Sequence, residues 1–325
     1  MALDIKTGDI LAMVSTPSFD PNIFRADDGD EYIQTLRGDV AKPFMNKTIE
    51  GLYPPGSTFK IVVALAALEA GAITPKEKIH CPGYWDYGDR RYHCWEDKGH
   101  GWVDLENALK HSCDIYFYQV ALRIGIDAIK QMAIKLGLTE KYMDGILARE
   151  MSGIMPDRHW KKRQIGASWV HGDTIISGIG QGFILTNCLQ LATMMARAAS
   201  NRKIVPRLIL QDKYPVFESL KLQDKNIKYV LSGLEQVLKK GGTAAGSAIN
   251  VDGKKMGGKT GTSQVRSISK KEREQGVLTN EQLKWSMRNH GLFVGYAPTN
   301  APKYAVCVVT EHVGSSTPAA RTASK

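Results

Sequence analysis

The stretch YPPGSTFKIVVALAALEAG, residues 53–71, constrains the fold more than any other part of this chain. Pro54, Pro55 and Gly56 cannot lie inside a helix or a central strand, so a helix can begin only behind them. From 57 to 70 the side chains are apolar nearly all round, with Phe59, Ile61, Val62, Val63, Leu65 and Leu68 separated by small alanines. A helix that is apolar on every side is buried, and Gly71 is its expected C-cap. With 325 residues the chain can supply the large core that such a helix needs, and one large domain is expected.

At the mouth of this apolar helix stand a hydroxyl and an amine, Ser57 and Lys60. Three residues apart, they share one helical face. A lysine carried into a core loses hydration, which lowers its pKa and makes a neutral amine accessible. That amine could take the Ser57 proton, and the free N–H groups of the helix start favour negative charge developing beside the serine. The pattern fits an activated nucleophile with its own base. The plainer alternative is that Ser57 caps the helix and Lys60 snorkels. S-x-x-K also occurs at Ser200/Lys203 and Ser267/Lys270, neither of which opens a buried apolar helix.

Two further motifs accompany it. Ser112-Cys113-Asp114 lies 55 residues beyond Ser57, and Lys259-Thr260-Gly261-Thr262 falls in a strand-like run. Each is weak alone, since Ser18-Phe19-Asp20 also fits S-x-D and Lys6-Thr7-Gly8 is a K-T-G in a turn. Order and context carry the weight. Residues 2–5 and 10–14 read as strand, turn, strand, and 255–262, 291–296 and 304–309 read as three late strands, the first two joined by a polar excursion over 264–288. Helices are expected at 105–123, 127–136, 186–200 and 226–239, and 72–104 reads as irregular. Strand pairs at both ends with helices between imply an α/β domain whose sheet unites the two ends of the chain. The terminal segment 314–325 stops where a final helix should pack on that sheet, so a truncated helix is expected there.

S-x-x-K on a buried helix, S-x-N/D before a second helix and K-T-G on a late strand are the three motifs of penicillin-binding proteins and serine β-lactamases. With the runs PPGSTFK at 54–60, SCDIYFYQ at 112–119, GIGQG at 178–182 and GKTGT at 258–262, and with the opening hairpin, the whole chain resembles the transpeptidase domain of the penicillin-binding protein 2 family, class B and of the elongation type. The resemblance implies an α/β (α+β) transpeptidase-like fold over 1–325, with a central antiparallel sheet flanked by helices. It implies acyl transfer: Ser57 attacks the carbonyl between the terminal D-alanines of a peptidoglycan stem peptide, and an amine from a neighbouring stem takes the acyl group. Lys60 would be the base, Ser112 and Asp114 would relay protons and orient it, and Lys259 would add positive potential. Thr260, Gly261 and Thr262 would bind substrate, with the threonines on its carboxylate and the N–H groups of Ser57 and Thr262 as oxyanion hole. β-Lactams should acylate Ser57. Rival readings are a D,D-carboxypeptidase, a β-lactamase, disfavoured because no Glu-x-x-Leu-Asn lies between 114 and 259, and a non-enzymatic penicillin receptor or scaffold.

Residues 80–113 hold three of the five cysteines and four of the eight histidines. Cys81, Cys94, His100 and Cys113 are spaced C-x12-C-x5-H-x12-C, looser than a zinc finger but a legitimate Cys3His set for a closed tetrahedral zinc site. A Cys81–Cys94 disulfide is the alternative in an oxidising compartment. The family resemblance implies structural zinc, held in some members by carboxylates at the first two positions. His80, His93 and His111 are expected to face solvent, and Cys188 and Cys307 to be plain core residues.

Lys and Arg number 43 against 33 Asp and Glu, for a net charge of +10, which suits anionic surroundings such as a cell-wall polymer. No nucleic-acid partner is expected, because the basic cluster Lys270-Lys271-Glu272-Arg273 has no interleaved aromatics. No window approaches the roughly 18–20 apolar residues of a membrane span. With only Met1 before the opening hairpin, either the domain begins on that hairpin or an N-terminal part is missing, and the resemblance implies an N-terminal anchor and pedestal outside this sequence. The resemblance would place the parent on the periplasmic face of the inner membrane, joined to a membrane glycosyltransferase of the elongation complex through that N-terminal part.

Overall fold

The computed structural model describes residues 1–25, 29–266, 272 and 275–325. Three of the four residues in the basic cluster at 270–273, all but Glu272, lie outside them, as does the S-x-x-K copy at 267–270. The described strands are β1 (Ala2–Asp4), β2 (Ile10–Ala12), β3 (Ile79–Cys81), β4 (Tyr84–Tyr87), β5 (Arg90–His93), β6 (Gly101–Val103), β7 (Gly257–Ser263), β8 (His290–Ala297) and β9 (Tyr304–Thr310). The described α-helices are α1 (Gly29–Gly38), α2 (Lys60–Glu69), α3 (Leu105–Lys110), α4 (Asp114–Lys135), α5 (Arg158–Ile165), α6 (His171–Ser177), α7 (Cys188–Ser200), α8 (Asp224–Val237) and α9 (Thr317–Ala323).

One antiparallel sheet in the order β2-β1-β9-β8-β7 unites the two ends of the chain, as expected. The first strand pairs Ala2 with Val306, and β7 pairs Lys259 with Val294. Alternation along β8 feeds two cores. Leu292, Val294 and Tyr296 join the main one, whereas Phe293 joins a second with Met256, Ala319 and Ala320. The last helix, α9, packs on the outer face of the sheet, where a final helix was expected. On the inner side, α2 is buried along its length from Lys60 to Leu68, packed against α4 and α8.

Two expectations are corrected and one is borne out. The helix expected over 105–123 is two helices, because α3 closes at His111–Cys113 with Ser112 N donating to Leu109 O and Cys113 N to Ala108 O. Ser112 takes a left-handed φ of 55°, and the chain restarts as α4. The break expected between 123 and 127 is present at Gly125, whose non-helical backbone (φ 75°, ψ 165°) divides α4 into two helical segments. The irregular stretch 72–104 contains two small antiparallel sheets, β3 with β6 and β4 with β5. They are three or four residues long, too short for periodicity to reveal.

Arg197 on α7 is the largest fully buried side chain. Its guanidinium donates to Glu140 at 2.7 and 2.9 Å, to Ile204 O at 2.9 Å and to Lys135 O at 3.2 Å, tying the end of α4 to the segment after α7. Arg197→Met leaves two carbonyls and a half-exposed carboxylate without these donors. The expected cost is roughly 3 kcal/mol, read from urea unfolding, and a loss below about 0.5 kcal/mol would show the tie to be dispensable.

Candidate active site and metal cluster

Pro54 and Pro55 deliver the chain to a 3-10 turn, Gly56–Phe59, which runs directly into α2. Side chains three apart eclipse in a 3-10 helix, so Ser57 on the turn and Lys60 at the first position of α2 lie one above the other. Ser57 is half-buried and Lys60 fully buried. The Lys60 amine donates to Asp114 Oδ1 at 2.7 Å, to the Ser112 carbonyl at 2.9 Å and to Ser112 Oγ at 3.2 Å. The break between α3 and α4 thus aims both members of the second motif at the first. Burial raises the Asp114 carboxyl above the usual range, opposed by the Lys60 charge.

The third motif arrives from the other side. As an edge strand, β7 has a partner only along β8, and its free edge abuts the Ser57 turn. A Cβ on Gly56, whose φ is 53°, would lie 2.5 Å from Thr262 O, and one on Gly261 would lie 2.9 Å from Thr58 Cγ2 and 3.0 Å from Pro55 O. Gly56 N donates to Gly180 O at 2.9 Å, and Gln181 Nε2 donates to Thr262 O at 3.1 Å. In an antiparallel strand one residue's N–H and C=O point the same way. The Thr262 N–H therefore also faces the free edge, beside the N–H groups that open the 3-10 turn.

Lys259 is fully buried, with a bond to Thr260 O at 3.2 Å. Burial, and then the neighbouring Lys60 charge, push its amine well below the usual lysine value, while Asp114 opposes them. The Thr260 hydroxyl is 2.7 Å from that of Thr243, and Thr262 is half-buried at the free edge. Sequence reasoning missed Thr243, Gln181 and Trp95. Trp95 donates its backbone N–H to Asp114 Oδ2 at 3.0 Å and its indole N–H to Ser112 O at 3.0 Å. Gln181 stood in the quoted GIGQG run without a role, and no pattern singles out the other two.

The donor atoms of Cys81, Cys94, His100 and Cys113 all lie within 4.8 Å of one another, a group that could hold a metal ion. Nδ1 of His100 is 3.6 Å from Cys81 Sγ and 3.5 Å from Cys94 Sγ. All five cysteines are free, so the alternative Cys81–Cys94 disulfide is not formed. Burial alone would lower His100, but hydrogen bonds to Cys81 and Cys94 outweigh it and raise the imidazole to about 9. His80 is exposed as expected, whereas His93 and His111 are half-buried, His111 stacked on His100 at 5.8 Å. Cys188 and Cys307 are buried core residues.

A family model described as "Penicillin binding protein transpeptidase domain" matches residues 1–325. The chain is 34% identical over 334 residues to peptidoglycan D,D-transpeptidase MrdA of Acinetobacter baumannii, covering 97% of this chain and 48% of the relative. It is 35% identical to MrdA of Haemophilus influenzae, covering 97% and 50%. The chain thus spans about half the length of these relatives. Among solved structures, PBP2 of Helicobacter pylori in complex with MreC superposes with a TM-score of 0.88 at 29% identity, over 99% of this chain and 57% of that one. PBP2 of Pseudomonas aeruginosa gives 0.82 at 34%, over 99% and 69%.

A buried amine held below its normal pKa destabilises the fold. The unfolded chain binds more protons than the native one between the lowered folded value and the usual lysine value, so this site's contribution to stability rises with pH through that window. Lys259→Met is expected to stabilise the protein by about 1–4 kcal/mol at pH 7, with the advantage shrinking as pH approaches 10. Urea titrations of both proteins at several pH values test this, and a Met variant less stable than wild type throughout would refute it.

Proposed function

The chain belongs to the penicillin-binding-protein transpeptidase family, and from that premise we propose that it is a serine D,D-transpeptidase crosslinking peptidoglycan stem peptides in cell-wall elongation. The observation that carries this reading is the convergence of three motifs on one turn: the Lys60 amine bound to Ser112 and Asp114, with Thr262 of β7 packed against Gly56. A stem peptide adds in extended form to the free edge of β7, where backbone groups can pair with it. Lys60 takes the Ser57 proton as Oγ attacks the carbonyl between the terminal D-alanines. The oxyanion is met by the N–H groups of Ser57 and Thr262. The C–N bond breaks, D-alanine leaves with the proton returned through Lys60 and Ser112, and an amine of a second stem takes the acyl group. Asp114 orients Lys60, Lys259 tunes the potential of the site, and Thr262 receives the substrate carboxylate. Thr260, joined to Thr243, supports the strand rather than offering an open hydroxyl. β-Lactams, which resemble the terminal dipeptide, acylate Ser57.

The metal reading is zinc, in a structural role. A tetrahedron with Zn–S arms of about 2.3 Å and a Zn–N arm of about 2.0 Å has S···N edges of about 3.5 Å, and the two S···N distances here are 3.6 and 3.5 Å. Zinc on Cys81, Cys94, His100 and Cys113 would fasten the small sheets of the 80–113 segment to the start of α4. Among the described residues no helix is long and apolar enough to cross a membrane. The proposed setting is the periplasmic face of the inner membrane, in an assembly of the kind represented by Helicobacter pylori PBP2 with MreC. Contact with a membrane glycosyltransferase would run through an N-terminal part of a longer parent.

Intact mass after mixing with benzylpenicillin should show one adduct that persists for minutes and is absent from Ser57→Ala. Rapid clearance with release of opened drug would favour a β-lactamase, and the absence of any adduct on folded protein would sink the proposal. Elemental analysis should find about one zinc per chain, lost in Cys113→Ser with a lower melting temperature. A Cys81–Cys94 disulfide in purified, metal-free protein would overturn the zinc assignment.

A further inference from the structure

Lys60 and Trp95 share the same two acceptors. The Asp114 carboxylate takes the Lys60 ammonium on Oδ1 at 2.7 Å and the Trp95 backbone N–H on Oδ2 at 3.0 Å. The Ser112 carbonyl takes Lys60 at 2.9 Å and the Trp95 indole N–H at 3.0 Å, and the indole also reaches His111 O at 3.0 Å. A carbonyl oxygen has two lone pairs and a carboxylate about four acceptor positions, so neither acceptor is oversubscribed. The arrangement matters when Lys60 acts as a base. A neutral amine offers two N–H donors in place of three, and any acceptor it releases inside the protein would be left unsatisfied. The two Trp95 donors do not ionise, so they keep Ser112 O and Asp114 hydrogen-bonded whatever Lys60 is doing.

Backbone geometry points the same way. Ser112 holds a left-handed φ of 55°, unfavourable for a residue other than glycine, and the indole N–H is bound across this turn, between the carbonyls of His111 and Ser112. Trp95 follows Cys94 and leans on His100, ring centroids 5.4 Å apart, so its position is set by the loop of the Cys/His cluster. Yet the side chain is 56% exposed, far more than core packing would require.

On the strength of the transpeptidase reading above, we infer that Trp95 is a positioning residue for the acylation step: its two N–H groups hold Ser112 and Asp114 in place while Lys60 exchanges its proton. The indole bond is the removable half of this latch. Trp95→Phe keeps an aromatic ring against His100 and deletes only that donor.

The test is stopped-flow acylation by nitrocefin or a fluorescent penicillin, separating the binding constant Ks from the acylation rate constant k2. Melting temperature and bound zinc are measured on the same samples. For Trp95→Phe the expected result is a roughly fivefold to tenfold fall in k2, the worth of one hydrogen bond, with Ks, melting temperature and metal content unchanged. An unchanged k2 overturns the inference. A fall in k2 that comes with lost metal or a lower melting temperature also overturns it, because Trp95 would then be only a brace for the loop. A wild-type protein that forms no acyl adduct would instead count against the transpeptidase reading, so the two failures are distinguishable.

Discussion

The structure depends on one buried ion pair, Lys60 with Asp114 at 2.7 Å. Taking two charges out of water costs several kcal/mol per ion, and mutual attraction offsets this only where the remaining donors and acceptors are satisfied. The surrounding fold meets that condition from three directions. Helix α2 carries the amine into the core, the α3–α4 break turns the Ser112 carbonyl and hydroxyl towards it, and the loop after β5 supplies the Trp95 donors. A second amine, Lys259, lies close enough to be pushed further from its charged form. Stability is given up at this point so that proton affinities can be set there, and the all-apolar packing of α2 is what keeps the arrangement rigid.

Much of this was legible in the sequence, for identifiable reasons. The buried helix could be read because no face of it is polar, and the uniting sheet because strand patterns stand at both ends of the chain. The motif residues were legible as a set, since Ser57, Lys60, Ser112, Asp114 and Lys259 each look ordinary alone. What escaped notice depends on turns and backbone. Helix α5, RHWKKRQI, has no apolar stripe to announce it. The split between α3 and α4 is hidden because Leu105, Ala108 and Leu109 before it and Ile115, Tyr116 and Phe117 after it are all buried, so the apolar pattern runs on through the break. Trp95 acts through a main-chain N–H and a ring nitrogen, neither of which leaves a periodic trace. Thr243 reaches Thr260 only because the segment after α8 lies against β7.

The Ser57 turn is held by different means on its two sides. Towards β7 the contacts are between backbones: a Cβ on Gly180 would lie 2.3 Å from Gly56 O, and one on Gly56 would lie 2.5 Å from Thr262 O. Three chain segments approach so closely that a Cβ on Gly56 or Gly180 would collide with a neighbouring main chain. Towards α4 the neighbouring 80–113 segment has strands of only three or four residues, yet it sends Cys81, Tyr92, Cys94, Val103 and Cys113 into the main core. The donor atoms of the Cys/His cluster come together there, and Cys113, lying between Ser112 and Asp114, makes the cluster continuous with the site. Backbone packing thus places the β7 side of the turn, while the segment that carries the cluster places Ser112 and Asp114 against Lys60. On the proposed mechanism, the oxyanion side and the base side are therefore fixed by separate parts of the fold, with Ser57 at the seam between them.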